Sequence, residues 1–122
     1  MHLLDGIWAV GTVMALSLDP RLQSALEGIV ALVDPEAVLL FGSRARGDHD
    51  DASDWDLFVV LPDDAVPGIA RPSKLRQAAT RSKLPIHAVA CRRGVFEAKR
   101  DDPNSLSHDV ARDGVVLYRR PT

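Results

Sequence analysis

Apolar positions in this chain fall into two kinds of run. Leu22, Ala25, Leu26, Ile29, Val30 and Val33 recur at spacings of three and four, the stripe of one helix face. Asp19-Pro20 ahead of them offers an N-cap and a proline suited to the first helical position, and Asp34-Pro35 ends the helix. The next run is continuous. Ala37–Phe41 (AVLLF), set between Pro35 and Gly42, predicts a short buried strand. Residues 42–53 are polar and rich in turn formers. Asp54–Leu61 (DWDLFVVL) predicts a second strand, stopped by Pro62, and a loop follows to Ala70. Pro72–Ser82 predicts a helix with Leu75, Ala78 and Ala79 facing inward, and Leu84–Cys91 (LPIHAVAC) a third strand. Short helices are expected over Val95–Arg100 and Ser105–Arg112. Gly114 suits the position after the last helix, and Val115–Tyr118 (VVLY) is expected to pack back on the core as an apolar tail. The order predicts an α/β (α+β) fold: a small mixed β-sheet with helices packed on one side.

Composition narrows the class. The chain has 122 residues, with 46% hydrophobic and 26% charged, which suits one globular domain with a single core. A net charge of −2 gives no general attraction for nucleic acid. The lone cysteine, Cys91, cannot form an internal disulfide and fits a reducing, cytoplasmic setting. The segment Ile7–Leu18 (IWAVGTVMALSL) is uncharged and apolar. It is shorter than the roughly 20 residues a membrane helix needs, and no Lys or Arg precedes it as in an export signal. The expected organisation is therefore an apolar helix or docking arm over residues 1–18 and a domain over 19–122. A native start at Met14 is the other reading of the first residues. An exposed apolar arm also gives a reason to expect a homo-oligomer.

The chemistry is concentrated in Leu40–Val60, LFGSRARGDHDDASDWDLFVV. Gly42-Ser43 directly follows a strand; glycine there admits a ligand close to the backbone, and turn N–H groups with the Ser43 hydroxyl can bind phosphate. In isolation such a pair is an ordinary turn. Asp54 and Asp56 stand two apart in an expected strand, so both carboxylates share one face, with Trp55 and Leu57 on the other. Paired carboxylates repel unless a divalent cation lies between them, and oxygen ligands suit Mg²⁺. An isolated D-x-D is an ordinary polar strand start. The combination is more specific: Gly42, Ser43, ten residues, then Asp54, Trp55 and Asp56 place a phosphate turn beside a metal strand.

This segment resembles the signature of the DNA polymerase β-like nucleotidyltransferase superfamily. It is most similar to the minimal nucleotidyltransferase proteins, many of which are antitoxins paired with HEPN ribonuclease toxins. The resemblance covers Leu22 to Tyr118, with Phe96–Tyr118 similar to the ends of such proteins. It implies that Gly42 and Ser43 hold the terminal phosphates of a nucleoside triphosphate, ATP by preference, and that Asp54 and Asp56 bind Mg²⁺ or Mn²⁺. Arg44 and Arg46 lie inside the motif and are candidates for phosphate contact, or equally exposed charges on a first helical turn.

One position departs from the family pattern. Active members carry a third acidic residue on the following strand, and the matching position here is His87. No Asp or Glu lies between Asp64 and Glu97, so a small shift in alignment does not restore it. An imidazole in place of a carboxylate removes one negative charge and weakens a hard-cation site. Three readings stay open: His87 sits in a weakened or inactive site, it substitutes for the acid as a base or a ligand to a softer cation such as Mn²⁺, or the register is shifted and it has no role. The functions these residues allow are transfer of a nucleoside monophosphate from a triphosphate to a protein or small-molecule acceptor, in the antitoxin version a tyrosine of a HEPN-type toxin; a binding module that keeps the fold without catalysis; and an antibiotic-modifying transferase, which needs an acceptor domain that 122 residues cannot supply without a partner or a dimer.

Overall fold

The computed structural model describes residues 19–121, so the expected arm over Ile7–Leu18 lies outside the described residues. Four strands form one sheet in the order β3-β2-β1-β4. They are β1 (Ala37–Phe41), β2 (Trp55–Leu61), β3 (Ile86–Arg92) and β4 (Val115–Arg119). β1 runs antiparallel to β2 and β4, while β2 and β3 are parallel. The helices are α1 (Pro20–Val33), α2 (Ser43–Arg46), α3 (Pro72–Ala79), α4 (Arg93–Lys99) and α5 (Leu106–Asp113).

The mixed sheet is as expected, but the helices divide between its two faces and do not lie on one. Leu22, Leu26, Ile29 and Val33 of α1 and Leu75 of α3 pack on Val38, Leu40, Leu57 and Val59. Phe96 of α4 and Val110 of α5 pack on Leu39, Phe58, Val60 and Val116 from the other side. The cause is visible in the strands. AVLLF and LFVVL are apolar at every position, and alternate side chains leave opposite faces, so each face needs a cover. Val115–Arg119 is more than a tail: it pairs with β1 as an edge strand, with a register shift at Val38/Leu39.

Local chemistry sets the element ends. Asp19 caps α1 by accepting from the Arg21 N–H at 2.8 Å. Asp34 ends α1 in the left-handed region at φ 46°, where its carbonyl accepts from Arg120. Ser105 caps α5 by accepting from the His108 N–H at 3.1 Å. Gly114 does follow α5, but with φ −66° it is not a left-handed terminator. Space explains it instead: a Cβ there would stand 2.4 Å from the Val110 carbonyl oxygen. The helix predicted over Pro72–Ser82 breaks after Ala79 into a 3₁₀ turn, Thr80–Ser82, where the buried Ser82 hydroxyl donates to the Ala79 carbonyl at 2.7 Å.

Gly28 lets α1 and α3 approach. A Cβ on it would come within 2.4 Å of the Ala78 carbonyl oxygen. Alanine at a mid-helix glycine normally gains about 0.5–1 kcal/mol; forcing two packed helices apart costs about 1–3 kcal/mol. Gly28→Ala is therefore expected to destabilise the fold by about 1 kcal/mol net, read as a lowered urea midpoint at unchanged slope.

Candidate functional site

Three residues from three strands meet in one row. Phe41 at the end of β1 is paired with Asp56 of β2, and Asp56 is paired with His87 of β3. Gly42 is the next residue after Phe41. The row lies where β1 turns into α2 and β2 begins, so the glycine turn, the carboxylate and the imidazole are brought together by strand register. The aromatic stack beneath fixes that end of the sheet: Phe41 meets Phe58 edge-on at 6.2 Å, and Phe58 meets Phe96 at 5.4 Å.

Asp56 is seated directly against Gly42. A Cβ on that glycine would lie 2.2 Å from Asp56 Oδ2, inside any allowed contact. Gly42 also adopts φ 74° and ψ −158°, a region essentially reserved for glycine. Its two demands, backbone conformation and close approach, are independent, and both exclude a side chain. The other carboxylate oxygen, Oδ1, lies 3.3 Å from His87 Nδ1, a hydrogen bond when that nitrogen carries the proton. His87 is 64% exposed and Asp56 23%, so this contact is open to solvent on the histidine side.

Ser43 opens α2 and is half-buried. Asp54 is exposed and stands just before β2 rather than within it. The alternation expected around it is otherwise seen: Trp55 and Leu57 belong to the face covered by α1 and α3. Among the described residues, no three His, Cys, Asp or Glu side chains are grouped to enclose a metal ion. Carboxylate oxygens such as those of Asp54 and Asp56 are the donor type that divalent cations take.

The arginines divide. Arg44 turns away from the Gly42–Asp56 row. Its Nε donates to the Ser53 carbonyl at 3.1 Å and its Nη2 to the Asp50 carbonyl at 3.3 Å. Its guanidinium lies over the Trp55 ring, 4.0 Å from the centroid. Nothing in the sequence distinguishes this use from a phosphate contact, since both want a planar cation. Arg46 is exposed and pairs with Asp48 at 3.2 Å. The loop between α2 and β2 is built: Asp50 Oδ1 accepts from the Ala52 N–H at 2.9 Å, and Ser53 Oγ accepts from the Asp50 N–H at 3.0 Å.

Other residues have structural tasks. Arg92 donates to the Asp63 carbonyl at 2.8 Å, and Arg93 pairs with Glu36 at 3.3 Å. Burial pushes the Cys91 thiol up, which suits a packed residue rather than a nucleophile. His108 Nδ1 lies 2.9 Å from the Arg100 carbonyl oxygen. A groove of about 340 Å³ between α3 and β3, floored by Leu75, Ile86 and Ala88 and flanked by Arg76, meets the row only at His87. No helix among the described residues is long and apolar enough to cross a membrane.

The family model described as "Polymerase beta, Nucleotidyltransferase" matches residues 26–122. No curated protein matches the chain. Among solved structures, a toxin–antitoxin with AMP-PNP is similar at 21% identity and TM-score 0.53, covering 81% of this chain and 71% of that one. A candidate nucleotidyltransferase from Sulfolobus solfataricus is similar at 20% identity and TM-score 0.43, covering 87% and 94%.

The seat of Asp56 yields a direct test. Gly42→Ala is expected to cost about 1–3 kcal/mol from the backbone conformation alone, with more from displacing the carboxylate. Thermal unfolding reads the loss, which should exceed that of Gly47→Ala, where φ is also positive (86°) but no atom lies within 4 Å of the added Cβ.

Proposed function

From the premise that the chain belongs to the polymerase β nucleotidyltransferase family, we propose that it transfers a nucleoside monophosphate from a triphosphate, ATP by preference, to a hydroxyl on a partner protein. The observation that supports this reading is the Asp56 carboxylate seated on the Gly42 turn, since a carboxylate suits a divalent cation and the N–H groups of a glycine turn suit phosphate.

The roles follow from position. The Gly42-Ser43 turn receives the β and γ phosphates through backbone N–H groups and the Ser43 hydroxyl. Asp54 and Asp56 hold the divalent cation, Mg²⁺ or Mn²⁺, that arrives with the nucleotide. That cation supplies charge neutralisation on the phosphates and alignment of the attacking oxygen. The acceptor oxygen attacks the α phosphorus in line, its bond to the β-bridging oxygen breaks, and pyrophosphate leaves; the acceptor proton passes to a base. In this reading His87, whose Nδ1 lies 3.3 Å from Asp56 Oδ1, serves as that base. Arg46, exposed at the end of α2, is the remaining arginine candidate for a phosphate contact; its pairing with Asp48 is a surface contact worth little.

For the partner, the similar toxin–antitoxin with AMP-PNP supports a toxin as the acceptor protein; that the toxin is of the HEPN type rests on the family resemblance alone. The second reading, a module that binds its partner or a nucleotide without transfer, is favoured by one observation: a histidine, not a carboxylate, stands beside Asp56.

Incubation with labelled ATP, Mg²⁺ or Mn²⁺ and the product of the neighbouring gene separates the two. Label is expected on the partner, falling at least about 100-fold in Asp54→Ala and Asp56→Ala. A tight complex that never acquires label would leave only the binding module. A companion variant, His87→Asp, adds an anionic oxygen donor to the site. It is expected to strengthen Mg²⁺-dependent nucleotide binding about 10-fold, measured by calorimetry; unchanged or weaker binding would remove the charge account of the site.

A further inference from the structure

Asp54 has no strand ladder of its own to fix it, yet both of its chain neighbours are held by one side chain. Arg44 Nε donates to the carbonyl of Ser53, the residue before Asp54, at 3.1 Å. The same guanidinium lies 4.0 Å from the ring centroid of Trp55, the residue after it. Nη2 reaches the Asp50 carbonyl at 3.3 Å, further back in the loop. Trp55 is in turn anchored by its N–H, which donates to the Pro85 carbonyl at 2.8 Å. Arg44 is half-buried, and two of its donor nitrogens are already engaged. We propose that Arg44 is the positioning residue for Asp54: it clamps the loop on both sides of that carboxylate and aims it at the space beside Asp56, and does not itself bind phosphate.

The geometry distinguishes a clamp from a charge. A guanidinium offers a rigid plane that can donate at its edge while its face covers an aromatic ring. A lysine ammonium is a point charge and cannot do both. A phosphate contact would tolerate lysine in part; a clamp would not. The placement of Arg44 also separates two properties of the site. The Gly42-Ser43 turn is fixed by β1 and α2 without the clamp, so phosphate binding without metal should be insensitive to Arg44. Cation binding, which needs Asp54, should depend on it.

The inference rests on the nucleotide reading above, and the test keeps the two apart. Binding of AMP-PNP is measured by calorimetry with Mn²⁺ and again with EDTA, for the wild type, Arg44→Ala and Arg44→Lys. The wild type is expected to bind more tightly with Mn²⁺. Both variants are expected to lose about 10- to 100-fold of the Mn²⁺-dependent affinity, the range for residues that orient ligands without touching the metal, and to stay within about twofold in EDTA. In a Trp8→Phe background, Trp55 emission should shift in both Arg44 variants, since the cation over its ring is gone or displaced. Should Arg44→Ala fail to fold by circular dichroism, Arg44→Lys and Trp55→Phe carry the comparison, with Trp55→Phe expected to lose less. Equal loss with and without Mn²⁺ would make Arg44 a phosphate ligand and overturn the proposal. So would lysine restoring the wild-type value, or no loss in either condition. If the wild type bound nucleotide in neither condition, the nucleotide reading itself would fall, and this inference with it.

Discussion

A carboxylate lying on a glycine is the contact around which this molecule is arranged. Asp56 can occupy its place only because Gly42 has no Cβ, and Gly42 can make its turn only because it has no Cβ. The carboxylate is not a surface group that happens to lie near a loop. It is fixed by the β1–β2 register on one side and the β2–β3 register on the other, so moving it means slipping a strand. A one-residue slip would send Asp56 to the face covered by α1 and α3 and bring Leu57 or Trp55 to the turn. Leu57, Phe58, Val59 and Val60 are apolar on both faces and would stay buried after such a slip, so what opposes it is the carboxylate itself, which would be pushed without a partner among the apolar side chains under α1 and α3. The cost of burying a charge thus holds the polar site in register.

Much of this was legible in the chain. The helix over Pro20–Val33, with its Asp19 cap and its stop at Asp34-Pro35, follows from local rules that need no tertiary knowledge. The strands are legible because their apolar runs are short and bounded by proline or glycine. Their ends moved by a residue or two: Asp54 fell outside β2, and β3 begins at Ile86, after Pro85. The closeness of Asp56 to the glycine turn was legible too, as a spacing.

What was not legible depends on distant pairing. The fate of Val115–Arg119 is decided by whether β1 has a free edge, which no local window contains. The split of helices between the faces was written in AVLLF and LFVVL, whose unbroken apolar runs call for cover on both sides, but which helix covers which face is a matter of topology. Arg44 is the clearest case. A planar cation next to a phosphate turn and a planar cation stacked on a tryptophan eleven residues later read alike in one dimension. The relation of His87 to Asp56 lies between these cases: its position was legible from the motif, its contact only from the parallel pairing.

The two aspartates are therefore held by different physics. Asp56 belongs to a ladder whose opening requires the sheet to open, a cost approaching that of global unfolding. Asp54 belongs to a loop, and loops open at far lower cost unless something pins them. In this chain the pins are one guanidinium, an Asx-type turn at Asp50 and the Trp55 anchor on Pro85. A site with three carboxylates on strands would be preformed by the sheet alone. Here the strand position opposite Asp56 holds a histidine, so in the proposed function the second carboxylate must come from the loop, and cation affinity becomes a property of loop order. On the same proposal the Gly42-Ser43 turn, fixed by the sheet, is free of that dependence. The proposed site would then keep its phosphate seat formed while its hold on a cation followed a few hydrogen bonds in residues 50–53, without disturbing the core.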